Sequence, residues 1–390
     1  MVNPIIPILS FFFFVAFHPS PVYAIYNVVR LGAMPDGKTD STQAFLSAWA
    51  AACSSVSPAM IYVPPGRYSL KQATFGGNCK NTDIMIRIDG TLVAPSDYTV
   101  LGSAGTWIRF EGVSGVTVNG GTLDGQGSAL WACKAVSKGC PAGATTLTIV
   151  NSKNIVINGL SSVNSQMFHI VINGCENVFI QGVMVTASAN SPNTDGIHVQ
   201  LSTGITIMSS GIKTGDDCIS IGPGTTNLWI EHVACGPGHG ISIGSLAKDL
   251  EEEGVQNVTV KTAIFNGTQN GLRIKSWGRD SRGFVKDVLF TNIVMKNVYN
   301  PIIIDQNYCP RRENCPDQVS GVKISNVTYK DIQGTSATQV ALKFDCSPKN
   351  PCEGIRLDDV KLTYLNQTAQ SSCTNASGVA YGLVDPTSCF

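Results

Sequence analysis

A short apolar–x–apolar step recurs along this chain at a nearly fixed interval, and it constrains the fold more than any other feature. It appears as Val116-Thr117-Val118, Ile155-Val156-Ile157, Val178-Phe179-Ile180, Ile205-Thr206-Ile207 and Leu228-Trp229-Ile230. It continues as Val258-Thr259-Val260, Val288-Leu289-Phe290, Val322-Lys323-Ile324 and Ile355-Arg356-Leu357. The starts at 155, 178, 205 and 228 are separated by 23, 27 and 23 residues, and later intervals stretch to 30 or more. Short β-type runs at this period, separated by Gly, Asn and Ser, are the mark of a solenoid of strands. Each coil supplies about three strands that pair with the coils on either side, and alternate residues point into a stacked apolar core. Helical repeats need longer amphipathic runs than occur here. A leucine-rich repeat needs fixed Leu and Asn positions that this chain lacks. The repeat predicts an all-β right-handed parallel β-helix.

Composition supports a large buried core, since 43% of residues are hydrophobic and only 14% charged. Acidic and basic residues balance at 27 each, so no global field selects a polyanion such as nucleic acid. An anionic substrate must be recognised by a few placed cations. At the N-terminal end, Asp40-Ser41-Thr42 reads as a helix cap ahead of the Ala-rich run Ala44 to Ala52. Such a helix can cover the end of the solenoid, where strand edges would otherwise be free to pair. No linker divides the chain, so a single domain is expected over residues 25–390.

The first 24 residues read as a secretory signal peptide, with an apolar run from Ile5 to Phe17 and a small residue, Ala24, at the cleavage point. The run is shorter than the roughly 18 to 20 residues of a membrane span. It also lacks a Lys or Arg before Arg30. The 13 cysteines all lie beyond Ala24. Close spacing makes Cys53–Cys79, Cys133–Cys140, Cys218–Cys235, Cys309–Cys315, Cys346–Cys352 and Cys373–Cys389 candidate pairs, as suits an oxidising compartment. Cys175 is left over, between apolar residues, and is expected as a buried free thiol. No CxxC pair or clustered His/Cys set argues for zinc. Sequons at Asn257, Asn266, Asn326, Asn366 and Asn375 agree with export.

Polar residues interrupt the repeat at matching places. Asp195 lies in Asn193-Thr194-Asp195-Gly196, Asp216 and Asp217 in Gly215-Asp216-Asp217-Cys218, and His239 in Gly238-His239-Gly240. From 195 to 217 and from 217 to 239 the interval is 22 residues, so these groups fall in nearly one column, on coils about 4.8 Å apart. Singly, an Asp beside Gly is a turn residue and a His is a structural group. Together, three carboxylates and an imidazole on one face form what glycoside hydrolysis requires: a protonated acid for the leaving oxygen and an ionised carboxylate to activate water. Arg273-Ile274-Lys275 follows one coil on, its two cations two apart and so on one side of a strand. Placed in the column of Asp195 and His239, they read as a clamp for a sugar carboxylate, against the plainer reading of two solvated bases. His169 and His198 alternate with apolar neighbours and read as structural or cleft-wall groups. Glu251-Glu252-Glu253 reads as a solvated loop.

Those four motifs, in that order, resemble the signature motifs of the polygalacturonases of glycoside hydrolase family 28, and the resemblance extends from about Tyr26 to the C-terminus. It implies a right-handed parallel β-helix and inverting hydrolysis of α-1,4-linked galacturonate, with no cofactor or metal. Carried over, Asp216 would be the general acid, and Asp195 and Asp217 would activate the water. His239 would sit beside the acid. Arg273 and Lys275 would grip the substrate carboxylate, Asn193 would line the cleft, and Tyr308 would contact substrate. Gly32-Ala33, Asp36-Gly37 and Pro64-Pro65-Gly66-Arg67-Tyr68 resemble the plant branch. Asp345-Cys346 and Pro351-Cys352 resemble its pollen-type exo-acting members. The expectation is therefore a secreted, monomeric cell-wall enzyme acting on polygalacturonate, with exo favoured over endo attack. Two alternatives stand beside it: a lyase using Ca²⁺ and an Arg base on a similar β-helix, and a catalytically silent wall-binding protein.

Overall fold

In the computed structural model, residues 23–310 and 313–390 are described. They form a right-handed parallel β-helix. In the middle of the solenoid each coil has three strands, as in Ile170–Asn173, Glu176–Gln181 and Met184–Thr186. The first strand of each coil joins an 11-stranded sheet, and the others join a 21-stranded one. From Thr226–Cys235 onward the second and third strands fuse into single bent strands, reaching 15 residues in Phe284–Val298.

The apolar–x–apolar steps stack in register, as their alternation requires. Val116, Ile155, Val178, Ile205, Leu228, Val258 and Val288 lie over one another, all almost fully buried. One step is misaligned in the sequence reading. Val322-Lys323-Ile324 pairs one stretch earlier, with Lys323 opposite Phe284, and the column runs instead through Val327 and Tyr329 to Ile355 and Leu357. The loop ahead of this strand lengthens the coil, and two apolar–x–apolar steps follow one another, so spacing alone picks the wrong one.

The turns after the 11-stranded sheet are held by asparagines in the left-handed region, including Asn154, Asn177, Asn227 and Asn257, with φ between 54° and 56°. Asn tolerates that region because its short amide bonds locally. Here the amides also bond between coils, Asn257 to Asn227 at 2.6 Å and Asn177 to Asn154 at 3.4 Å.

The capping helix spans Thr42–Ser54 and buries Ala44, Phe45, Ala48, Trp49 and Ala52 on one face. Trp49 packs on Phe75 and Phe110, with ring centroids 5.6 and 5.7 Å away. Within the expected cap, Ser41 holds the N-cap position without a side-chain capping bond, and Asp40 accepts the Thr42 amide hydrogen at 3.0 Å. All six candidate disulfides are formed, and Cys175 is free and buried. The expected signal peptide falls on residues outside those described, apart from Tyr23 and Ala24, and Ala24 opens the first strand. Among the described residues, no helix is long and apolar enough to cross a membrane.

Candidate active site

The 11-stranded sheet sets the site. Asp195, Asp217 and His239 each stand two residues before a groove strand, Ile197–Gln200, Ile219–Ile221 and Ile241–Leu246. Those strands pair Ile197 with Ile219 and Ile219 with Ile241. The interval of 22 therefore places the three groups on successive coils. Close packing explains the glycines beside them. A Cβ on Gly215 would run into the Ser191 backbone, and Gly240, at φ +91°, faces the Asn270 carbonyl. Thr194 is fully buried and its hydroxyl accepts the Gly215 amide hydrogen at 3.2 Å, tying the two Asp-bearing turns together.

The fourth place in the column is not held by Arg273. Ile241 pairs with Leu272, which brings Asn270 alongside His239, and the Asn270 amide donates to the His239 carbonyl at 3.1 Å. Arg273 belongs to a neighbouring column with His198, Ser220 and Ser242. The inserted loop and lengthened strand before it shift the register away from simple spacing. The two cations nevertheless reach the acids. Arg273 Nη2 lies 2.7 Å from Asp217 Oδ1, and Lys275 Nζ lies 2.8 Å from Asp217 Oδ2. Ser242 adds a hydroxyl bond to Oδ1 at 2.8 Å. The clamp thus grips an aspartate of the protein itself.

These contacts separate the carboxylates electrostatically. Burial alone would raise the proton affinity of Asp217, which is 1% exposed, but Lys275 and Arg273 outweigh it and hold the carboxyl at about 2. Asp195 moves the other way. Burial, then the charges of Asp216 and Asp217, push it well above the usual range, with Ser220 and Lys275 opposing only in part. Asp216 is the most open of the three, its side chain 20% exposed, and its Oδ1 lies 3.0 Å from His239 Nδ1. Asp216, Asp217 and His239 each bring a ligand atom within 4.8 Å of one another. A cation could bridge such a set, yet both oxygens of Asp217 are already engaged by Lys275 and Arg273.

Asn193 and Tyr308 also converge here. Asn193, at φ 54°, lines the cavity over the acids with Asp195, Asp216 and Asp217. Tyr308 lies edge-on to Trp277 and within 5.2 Å of Lys275 and 5.9 Å of Arg273 through its ring. His198 is a cleft-wall group, bonded to Ser220 Oγ at 2.8 Å and Gln200 Oε1 at 3.1 Å. His169 is wholly buried against Ser162 Oγ, with burial pushing it down to about 3. Sequence reasoning missed Ser220 and Ser242. Their signal was available: residues 198, 220 and 242 repeat the 22-residue interval of the acids on the outward face of the same strands.

Comparison with known proteins shows the family of the chain. Residues 53–389 match Glycosyl hydrolases family 28. The chain belongs to that family. Among relatives, a polygalacturonase of Prunus persica is 67% identical over 366 residues, covering 94% of this chain and 93% of its own. An exopolygalacturonase of Platanus acerifolia is 42% identical, covering 90% and 94%. Among solved structures, a polygalacturonase from Erwinia carotovora shares 27% identity at a TM-score of 0.73, covering 93% of this chain and 99% of its own. An endo-xylogalacturonan hydrolase from Aspergillus tubingensis shares the fold at a TM-score of 0.81, with 23% identity over 92% and 100%. The family 28 fold and the cluster of acids thus coincide in one chain.

Proposed function

We propose that this family 28 chain hydrolyses the α-1,4-galacturonosyl bonds of polygalacturonate with inversion, through Asp216, Asp217, Asp195 and His239. The observation that carries this is the ion-paired Asp217 beside the more open Asp216–His239 pair. Asp216 faces the cleft as the general acid. Its proton passes to the glycosidic oxygen as the bond to the anomeric carbon breaks, and His239 at 3.0 Å orients the carboxyl. Water attacks the anomeric carbon from the opposite face and gives its proton to a carboxylate. Asp217, held ionised by Lys275 and Arg273, takes that proton, and Asp195 on the adjacent coil helps to hold the water.

The pairing of Asp217 with Arg273 and Lys275 joins recognition to catalysis. A uronate carboxylate competes with Asp217 for Arg273 and Lys275. Drawing either cation away lifts the proton affinity of Asp217 and makes it a stronger base. Asn193 and Tyr308 complete the wall that positions the sugar. Replacing Asp216 by Asn should lower turnover by about 10²- to 10⁴-fold while leaving the circular-dichroism spectrum unchanged. Full activity in that variant would remove the assignment.

The similarity of the Cys346–Cys352 region to pollen-type members supports exo attack. A specific observation favours endo attack instead. Cavities continue past the acids both toward Trp131, Lys134 and Lys138 and toward Asn300, Lys343 and Asp345, leaving room for chain on either side. Early release of monomer alone supports the first, and a ladder of oligomers the second. We read residues 1–24 as a cleaved leader, and the enzyme as a secreted monomer of the cell wall. Peptide sequencing of the exported protein, starting at Ile25, tests the leader.

A further inference from the structure

Beyond the groove strand Ile241–Leu246 the chain enters a loop that opens onto the same cavity as the acids. Its acidic run, Glu251-Glu252-Glu253, is not the wholly solvated loop expected. Glu252 is instead half-buried, and its carboxylate accepts the Ala247 amide hydrogen at 2.5 Å and the Lys248 amide hydrogen at 3.3 Å. That grip fixes the backbone of Lys248 at the cavity edge. The acids stand before the groove strands and Lys248, an exposed residue, follows them, so they line one cavity from opposite ends of those strands. The cavity between is lined by His198, Gln200 and Phe168.

Its charges are unevenly engaged. Lys275 is ion-paired with Asp217. Both ring nitrogens of His198 are bonded, to Ser220 and Gln200, and burial lowers its proton affinity, so it stays neutral. With the imidazole donating to Gln200 Oε1, the Gln200 amide hydrogens remain for a ligand. Lys248 makes no ion pair among the described residues, unlike the other lysine of this cavity.

We infer that Lys248 is a specificity-determining residue that binds the carboxylate of a second galacturonate unit, seated against His198 and Gln200, with Glu252 as its positioning residue. The inference rests on the polygalacturonate reading above. Two cationic positions across one cavity would read two successive uronates, a pattern that neutral or esterified sugars cannot satisfy.

The test uses the full chain in two arms. In the first, Asp216→Asn is titrated with trigalacturonate by calorimetry, alone and combined with Lys248→Met. The added substitution is expected to weaken binding about tenfold, as for loss of a charge-assisted contact. Lys248→Arg should restore most of it. In the second arm, Lys248→Met in the otherwise unaltered enzyme should raise KM for polygalacturonate about tenfold with a much smaller change in kcat. Glu252→Ala should reproduce part of that KM defect and Glu252→Gln little of it. Unchanged trigalacturonate affinity in the Lys248→Met background overturns the inference while leaving the hydrolase reading intact. Absence of both binding and cleavage in the parent proteins overturns the hydrolase reading, and this inference with it.

Discussion

Asp195 and Asp217 are buried carboxylates on adjacent coils, yet their surroundings drive their proton affinities apart. The pH dependence of stability follows from this. Asp217 titrates below its ordinary value, so its stabilising contribution is present above about pH 4 and is lost as pH falls toward 2. Asp195 titrates above its ordinary value, so the folded state is favoured by its protonated form and loses that contribution as pH rises above about 4. Replacing Asp195 by Asn should therefore raise the melting temperature at pH 7, with the gain shrinking toward pH 4, while removing most turnover. An unchanged or lower melting temperature at pH 7 would contradict the strained-carboxylate account. Lys275→Met should destabilise the fold by about 3 kcal/mol, because it breaks a buried pair. Urea unfolding at neutral pH reads that loss directly. The same variant should shift the acid limb of kcat/KM upward, since Asp217 loses the stronger of the two cations that hold it ionised.

At the scale of the element, the coil positions all of this, and its parts were unequally visible in the sequence. The 22-residue interval revealed the column of Asp195, Asp217 and His239 because those coils carry no insertions. The next coil does, and there spacing failed: Asn270 took the place expected of Arg273. The hold of Glu252 on the Ala247 and Lys248 backbone amides was illegible, since a loop that follows its own backbone has no period to betray it. The disulfides were legible because each closes a short local loop. Cys218, next to Asp217, is joined to Cys235 across 17 residues. Losing that bridge should cost about 3 kcal/mol and reduce activity at a temperature where the rest of the fold survives, as thermal scans of a Cys218→Ala, Cys235→Ala variant would show. The asparagine ladder also bears on the sequons. The amides of Asn257 and Asn326 bond to neighbouring coils, at 2.6 and 3.2 Å. Asn375 donates to the Cys346 carbonyl at 3.1 Å. All five sequon asparagines are exposed, but those three amides are engaged, so glycopeptide mapping should find sugar on Asn266 and Asn366 before them.

For the whole molecule, the solenoid is a ruler that converts sequence interval into height along a groove. Rigid stacking of buried Ile, Val and Leu fixes the strands, and catalytic chemistry sits on the turns just ahead of them. In the function we propose, the arrangement acts as a preorganised inverting site: one open carboxyl for the leaving oxygen and ionised carboxylate for water, with cations that answer to a uronate. The most direct test is proton NMR of the first sugar released from polygalacturonate, followed before mutarotation and without added metal. The account predicts the β-anomer as the initial product, with no unsaturated ends. An initial α-anomer, or unsaturated products that vanish with a Ca²⁺ chelator, would contradict it.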